Sequence, residues 1–187
     1  TYIEDGHALT EYLKEHFSQD KIYLMGESWG SALGIFLVEK YPESYYALIG
    51  TGQMVDFAET ERIDYANALE IAQSKGDTAL IERLKANGEP PYYGKDVTWK
   101  SAVYLNYLSA YMASNPKIQN PGYNTFRDVG SSEYGLLDKL NFFRGIVNTY
   151  NHVYQQLYTI DMRTDYTKLD VPVYFFLGRY DVNAPTV

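Results

Sequence analysis

The sequence predicts an α/β protein: a parallel sheet of about three strands, with a helical segment inserted before the last one. Three observations carry this. Short apolar runs at Ile22–Met25, Tyr45–Thr51 and Val171–Leu177 are long enough for buried strands and too short for helices. Stretches of helical periodicity alternate with the first two runs, at the spacing of a parallel sheet. Between Asp56 and Ile160 the pattern changes to helical periodicity with no convincing strand. The expected domains are a core of residues 1–55 and 161–187, interrupted by a helical cap at 56–160.

Glu4 to Phe17 reads as an amphipathic helix with Ala8, Leu9, Leu13 and Phe17 on one face and Glu11, Lys14 and Glu15 off it. Ser18-Gln19-Asp20 is the turn into the first strand. After Gly26–Gly30 a helix runs through Ala32–Val38 to about Tyr41 and stops at Pro42, which cannot continue it. The second strand is closed by Gly50 and Gly52. Four helices follow: Phe57–Ser74, one capped by Asp77 with Leu80, Ile81 and Leu84, then Val97–Ala113 and Tyr134–Tyr158. Turn-rich stretches separate them at Gly88–Pro91 and Asn115–Ser132. This insertion holds most of the 20 tyrosines, which suit either helix packing or a lid over an apolar cleft. Pro172 is acceptable at the first position of the last strand.

Composition narrows the function classes. The 187 residues suffice for one sizeable core, or a core with a small accessory domain. A formal net charge of −8 argues against nucleic acid or an anionic membrane as partner. The absence of cysteine excludes disulfides, thiolate chemistry and cysteine metal sites. No apolar run approaches a membrane span, and no signal peptide is read, so the expected compartment is the cytoplasm.

The stretch Lys21–Ser31, KIYLMGESWGS, organises the rest. It runs from strand through Gly26-Glu27-Ser28-Trp29-Gly30 into helix, as a G-x-S-x-G nucleophile elbow requires. The serine belongs at the tip of the turn, strained, with its hydroxyl offered to a substrate. Gly26 and Gly30 are expected to flank it because strand and helix pass too close there for side chains. The Trp29 N–H, at the helix N-terminus, points where a negative oxygen develops in acyl transfer. The plain competing reading makes Ser28 an ordinary helix N-cap.

Asp181 follows the last strand in Gly178-Arg179-Tyr180-Asp181. An acid just past the carboxyl end of a parallel strand lies where open α/β sheets place their sites. There it would orient an imidazole. His7 and His16 lie on the first helix and His152 on the last of the cap, where solvated, capping or structural roles are expected.

GESWGSALGIFLVEKYPESYYALIGTGQMVD, followed by VPVYFFLGRYDVNAP, resembles the α/β-hydrolase superfamily and, within it, the prolyl iminopeptidase-like group. The likeness runs end to end and rests most on the elbow GESWGS and on GRYD with Pro185 after it. It implies a partial α/β-hydrolase fold, with Ser28 as nucleophile, Asp181 as triad acid and Trp29 as one backbone oxyanion donor. Gln53, in the GTGQ turn, would line the site for substrate. No metal or cofactor is implied. Two family features are missing: a glycine-rich oxyanion loop before the nucleophile strand, and a catalytic histidine some tens of residues after the acid. The expectation is therefore a fragment, close to inert alone, that self-associates through exposed sheet edges.

The implied activity is cleavage of an N-terminal amino acid from a peptide through a Ser-His-Asp triad. An esterase, lipase or thioesterase on the same scaffold is an alternative, since fold does not choose substrate. So is a binding protein that kept the fold without catalysis. An aminopeptidase needs carboxylates to hold the substrate ammonium; Glu59, Glu61, Asp64 and Glu70 are the candidates.

Overall fold

The computed structural model describes residues 2–118 and 129–183. The chain divides into two compact units: Thr1–Thr60 with Ile160–Val187, and Glu61–Thr159.

In the first unit α1 (Tyr2–His16), β1 (Ile22–Glu27), α2 (Trp29–Lys40) and β2 (Tyr45–Thr51) alternate, and β3 (Val173–Phe176) joins after the insertion. The sheet is parallel, in the order β1-β2-β3. Its register aligns the carboxyl ends of the strands, with Glu27 opposite Thr51 and Thr51 opposite Phe176. Leu48, fully buried, faces α2: a Cβ on Gly34 would lie 2.7 Å from its Cδ1. The alternate set of Met25, Ile49 and Tyr174 therefore faces the other way. The last strand is shorter than its apolar run. Pro172 has no N–H to give a ladder, although its carbonyl still accepts from Leu48 N at 2.9 Å.

α1 buries a different face from the one its apolar residues mark. Leu9 and Phe17 are exposed, as is Ala8, while Thr10 is buried. Thr10 Oγ1 donates to Gly6 O at 2.8 Å and shares a 2.9 Å hydrogen bond with the Tyr45 hydroxyl. A Cβ on Gly6 would stand 3.1 Å from Leu37 Cδ1. Small residues bring α1 close to its neighbours, and that close approach decides the inward face.

The chain leaves and re-enters this unit at adjacent points. Asp56 and Asp161 form an antiparallel bridge, and Met162 N donates to Val55 O at 2.9 Å. On the surface Arg163, inside the four-residue α7 (Met162–Asp165), pairs with Asp56 at 2.6 Å and with Asp161 at 2.9 Å.

The second unit is helical: most of α3 (Phe57–Lys75), then α4 (Thr78–Asn87), α5 (Val97–Ala113) and α6 (Leu136–His152). Ala68, Ala72, Leu84, Val97, Tyr104 and Leu108 are completely buried. Asp77 caps α4, its Oδ1 accepting from Leu80 N at 3.0 Å. Gly135, whose N–H donates to the Asp138 carboxylate at 3.1 Å, opens α6 two residues after Glu133. The helix expected over Tyr134–Tyr158 ends at His152, and Tyr154–Thr159 tightens into a 3-10 turn. Among the described residues no helix is long and apolar enough to cross a membrane.

Candidate active site

Ser28 sits between β1 and α2 with φ 51° and ψ −122°, a left-handed conformation that costs a non-glycine residue roughly 1–3 kcal/mol. The turn is held by backbone and side-chain bonds alike. Ser28 N donates to Thr51 O at 2.9 Å, Ser31 N to Ser28 O at 2.9 Å, and Ser31 Oγ to the same carbonyl at 2.5 Å. Ser31 Oγ also accepts from Met54 N at 3.0 Å, tying the elbow to the loop after β2. Ser28 occupies the N-cap position of α2, yet its hydroxyl makes no capping bond. The residue is exposed at the carboxyl edge of the sheet. A strained, exposed serine that caps nothing does not behave as a plain cap.

The glycines around it differ. A Cβ on Gly26 would come within 2.3 Å of Gly30 O and 2.8 Å of Ser31 Cα, so the strand needs glycine there. A Cβ on Gly30 would meet nothing within 4 Å, which corrects the expectation that both glycines are required by crowding. Trp29 opens α2, half-buried, with its ring edge-on to Tyr2 at 5.0 Å. Its N–H belongs to the first turn, where no intrahelical acceptor precedes it.

Asp181 lies five residues beyond the end of β3, on the same sheet edge as Ser28, with β2 between their strands. Its N–H donates to Gly178 O at 3.0 Å, and its Oδ1 accepts from Asn183 N at 2.9 Å. Pro185 lies outside the described residues.

The three histidines have contacts of their own. His7 stacks on Tyr41 with centroids 3.6 Å apart, and His16 lies beside Tyr12 and Phe17. His152 Nδ1 pairs with Asn148 O at 2.8 Å. Among the described residues no cluster of three or more metal-ligating side chains occurs.

Gln53 folds back beneath Gly50, where a Cβ would strike its Oε1 at 2.3 Å. Its Nε2 donates to Met54 O at 2.9 Å, and the buried Oε1 has no partner. It lines a cavity of about 370 Å³ with Ile35, Met162, Tyr166, Val173 and Phe175. Neither Ser28 nor Asp181 borders that cavity.

The four candidate acids divide by burial. Glu61 and Asp64 are buried, Glu59 is half-buried and Glu70 exposed. Glu61 takes hydroxyls from Tyr104, Tyr154 and Ser101, a cluster that sequence periodicity did not single out.

Two curated relatives match across nearly the whole chain. One is "Probable aminopeptidase YbaC" of Bacillus subtilis (strain 168), 27% identical over 98% of this chain and 57% of that protein. The other is "Proline iminopeptidase" of Saccharolobus solfataricus, 27% identical over 92% of this chain and 51% of that protein. The chain thus spans about half the length of the curated relatives it matches. No family profile matches it, and no solved structure does.

Proposed function

We propose that this chain carries the nucleophile and acid of a serine hydrolase of the α/β-hydrolase type, acting as an aminopeptidase on the N-terminal residue of a peptide. Ser28 carries the reading: an exposed hydroxyl in a strained strand-to-helix turn, capping nothing, at the carboxyl edge of a parallel sheet. The names of the two relatives support the peptidase class.

The chemistry follows from the residues. Ser28 Oγ attacks the substrate carbonyl as a histidine takes its proton, and the Trp29 N–H helps hold the oxyanion. Collapse of the intermediate expels the amine, protonated by the same imidazole, and leaves an acyl-serine that water hydrolyses. Asp181 orients that imidazole and stabilises its cation. We assign the imidazole to the intact protein outside His7, His16 and His152, which respectively stack on Tyr41, lie beside Tyr12 and Phe17, and pair with Asn148 O. The 187-residue chain alone is then a poor catalyst, because a serine without its base is weakly nucleophilic.

In the intact protein a fluorophosphonate probe should label Ser28, and Ser28→Ala should lower kcat by up to roughly 10⁶. Asp181→Asn should lower it by about 10⁴, because the wrong imidazole tautomer is then favoured. Labelling at another serine, or turnover surviving the alanine, ends the assignment. One observation favours an ester or thioester substrate: Glu61 is already engaged by three hydroxyls and is not open to an ammonium. Comparing kcat/KM for an aminoacyl amide and an acyl ester of equal size separates the two substrate classes.

A further inference from the structure

Glu61, on α3, is 1% exposed inside the helical unit. A carboxylate buried there is costly unless a cation or several donors compensate it. Its partners are all hydroxyls. Oε1 accepts from Tyr154 at 2.8 Å, and Oε2 takes Tyr104 and, at 3.3 Å, Ser101. No lysine, arginine or histidine among the described residues hydrogen-bonds or ion-pairs with it.

Among the described residues the ionisable groups whose electrostatics couple to it are all phenols: Tyr104 on α5, Tyr150 on α6, Tyr154 and Tyr158 in the 3-10 turn, and Tyr92 before α5. On its own helix Asp64 stands three residues further along, and Tyr65 packs edge-on to Tyr104. Lys100 lies over the ring of Tyr92, 5.3 Å from its centroid, and makes no bond to the carboxyl. Burial pushes the hydroxyls of Tyr92, Tyr104, Tyr154 and Tyr158 well above the usual phenol range, so they stay neutral donors.

One more distance decides which form of Glu61 the site suits. Tyr104 Oη lies 3.1 Å from Ser101 Oγ. A protonated Oε2 can therefore donate to Tyr104, Tyr104 to Ser101, and Ser101 back to Oε2, while Tyr154 donates to Oε1. Every contact then has one proton and no charge is buried. Without its proton Glu61 is an anion with no counter-ion among the described residues, in a site shielded from water.

We propose that Glu61, closed into a hydroxyl ring with Tyr104 and Ser101 and held by Tyr154, is a proton-operated latch of the helical unit. Protonated, it ties α3 to α5 and to the 3-10 turn; ionised, it loosens them. The latch is independent of the catalytic reading of Ser28.

Burial raises the Glu61 carboxyl above its ordinary value of 4.5, against the smaller lowering effect of the three hydroxyls. Its folded value thus exceeds its unfolded one. The stability it contributes is full below the ordinary value and is lost as pH rises through the folded value.

Thermal unfolding of the full chain, followed by tyrosine circular dichroism over rising pH, tests this. The wild-type midpoint should fall by several degrees as pH climbs above the ordinary glutamate range. Glu61→Gln, alike in shape but uncharged, should flatten that slope. A Glu61→Gln protein with the wild-type slope overturns the proposal. Should Glu61→Gln not fold, infrared difference spectra of Asp64→Asn decide. A carboxylic-acid carbonyl band persisting above the ordinary glutamate range supports the latch, and its absence there overturns it.

Discussion

Gly26 and Gly30 hold matching places in the motif, yet only one of them is crowded. A methyl on Gly26 would press on backbone atoms of Gly30 and Ser31, which cannot swing aside as a side chain would. Gly26→Ala should therefore cost about 1–3 kcal/mol, as overpacking does, and should also lower probe labelling of Ser28. Gly30→Ala meets open space in a helix's first turn, so its unfolding midpoint in urea should stay close to wild type. Equal losses from both would mean that close packing at Gly26 is not what holds the elbow. The strand-to-helix turn at Ser28 was legible in the sequence because five consecutive residues encode it. The Glu61 ring was not. Its members stand at positions 61, 101, 104 and 154, and Tyr154 is 93 residues from its acceptor, so no local pattern marks them.

Elements were legible where periodicity or a cap fixes them and misread where small residues decide the packing. β2 and α5 lie over the stretches their sequence marks, Tyr45–Thr51 and Val97–Ala113. The face of α1 was misread because hydrophobic periodicity ranks Leu9 and Phe17 above Gly6 and Thr10. Backbone proximity rewards the small pair instead: Gly6 lets α1 approach Leu37, and Thr10 satisfies the buried Tyr45 hydroxyl. α6 stops short of its apolar period at His152, and the chain winds more tightly where Tyr154 bonds Glu61. The cap of α4 gives a prediction at this scale. Asp77→Ala removes the acceptor of Leu80 N–H from a helix anchored by the fully buried Leu84. It should destabilise the chain by about 1 kcal/mol in urea unfolding, and Asp77→Asn should recover most of the loss. Equal stability of the alanine and wild-type proteins would show that water replaces the cap at no cost.

At the scale of the whole chain the sheet is the exposed part. β1 and β3 are both outer strands, each pairing with β2 alone among the described residues. Their side chains away from α2 are apolar and open: Tyr23 is 70% exposed, Met25 67%, Tyr174 56% and Phe176 63%. Natural edges are blunted by charge, proline or bulges. Here Lys21 stands only at the start of β1, and Pro172 precedes β3. An apolar face of this kind, bordered by strands with unpaired amide and carbonyl groups, favours a partner. A second copy of the chain supplies both the edge and the face. The 187-residue chain is therefore expected to associate, through edge pairing that brings Tyr23 and Met25, or Tyr174 and Phe176, against their counterparts. Sedimentation at low micromolar concentration checks this. Met25→Lys with Tyr174→Lys should shift the distribution toward monomer, because a buried lysine at either edge has no counter-charge to meet. A single monomeric species in the wild-type chain would mean that these edges are already protected.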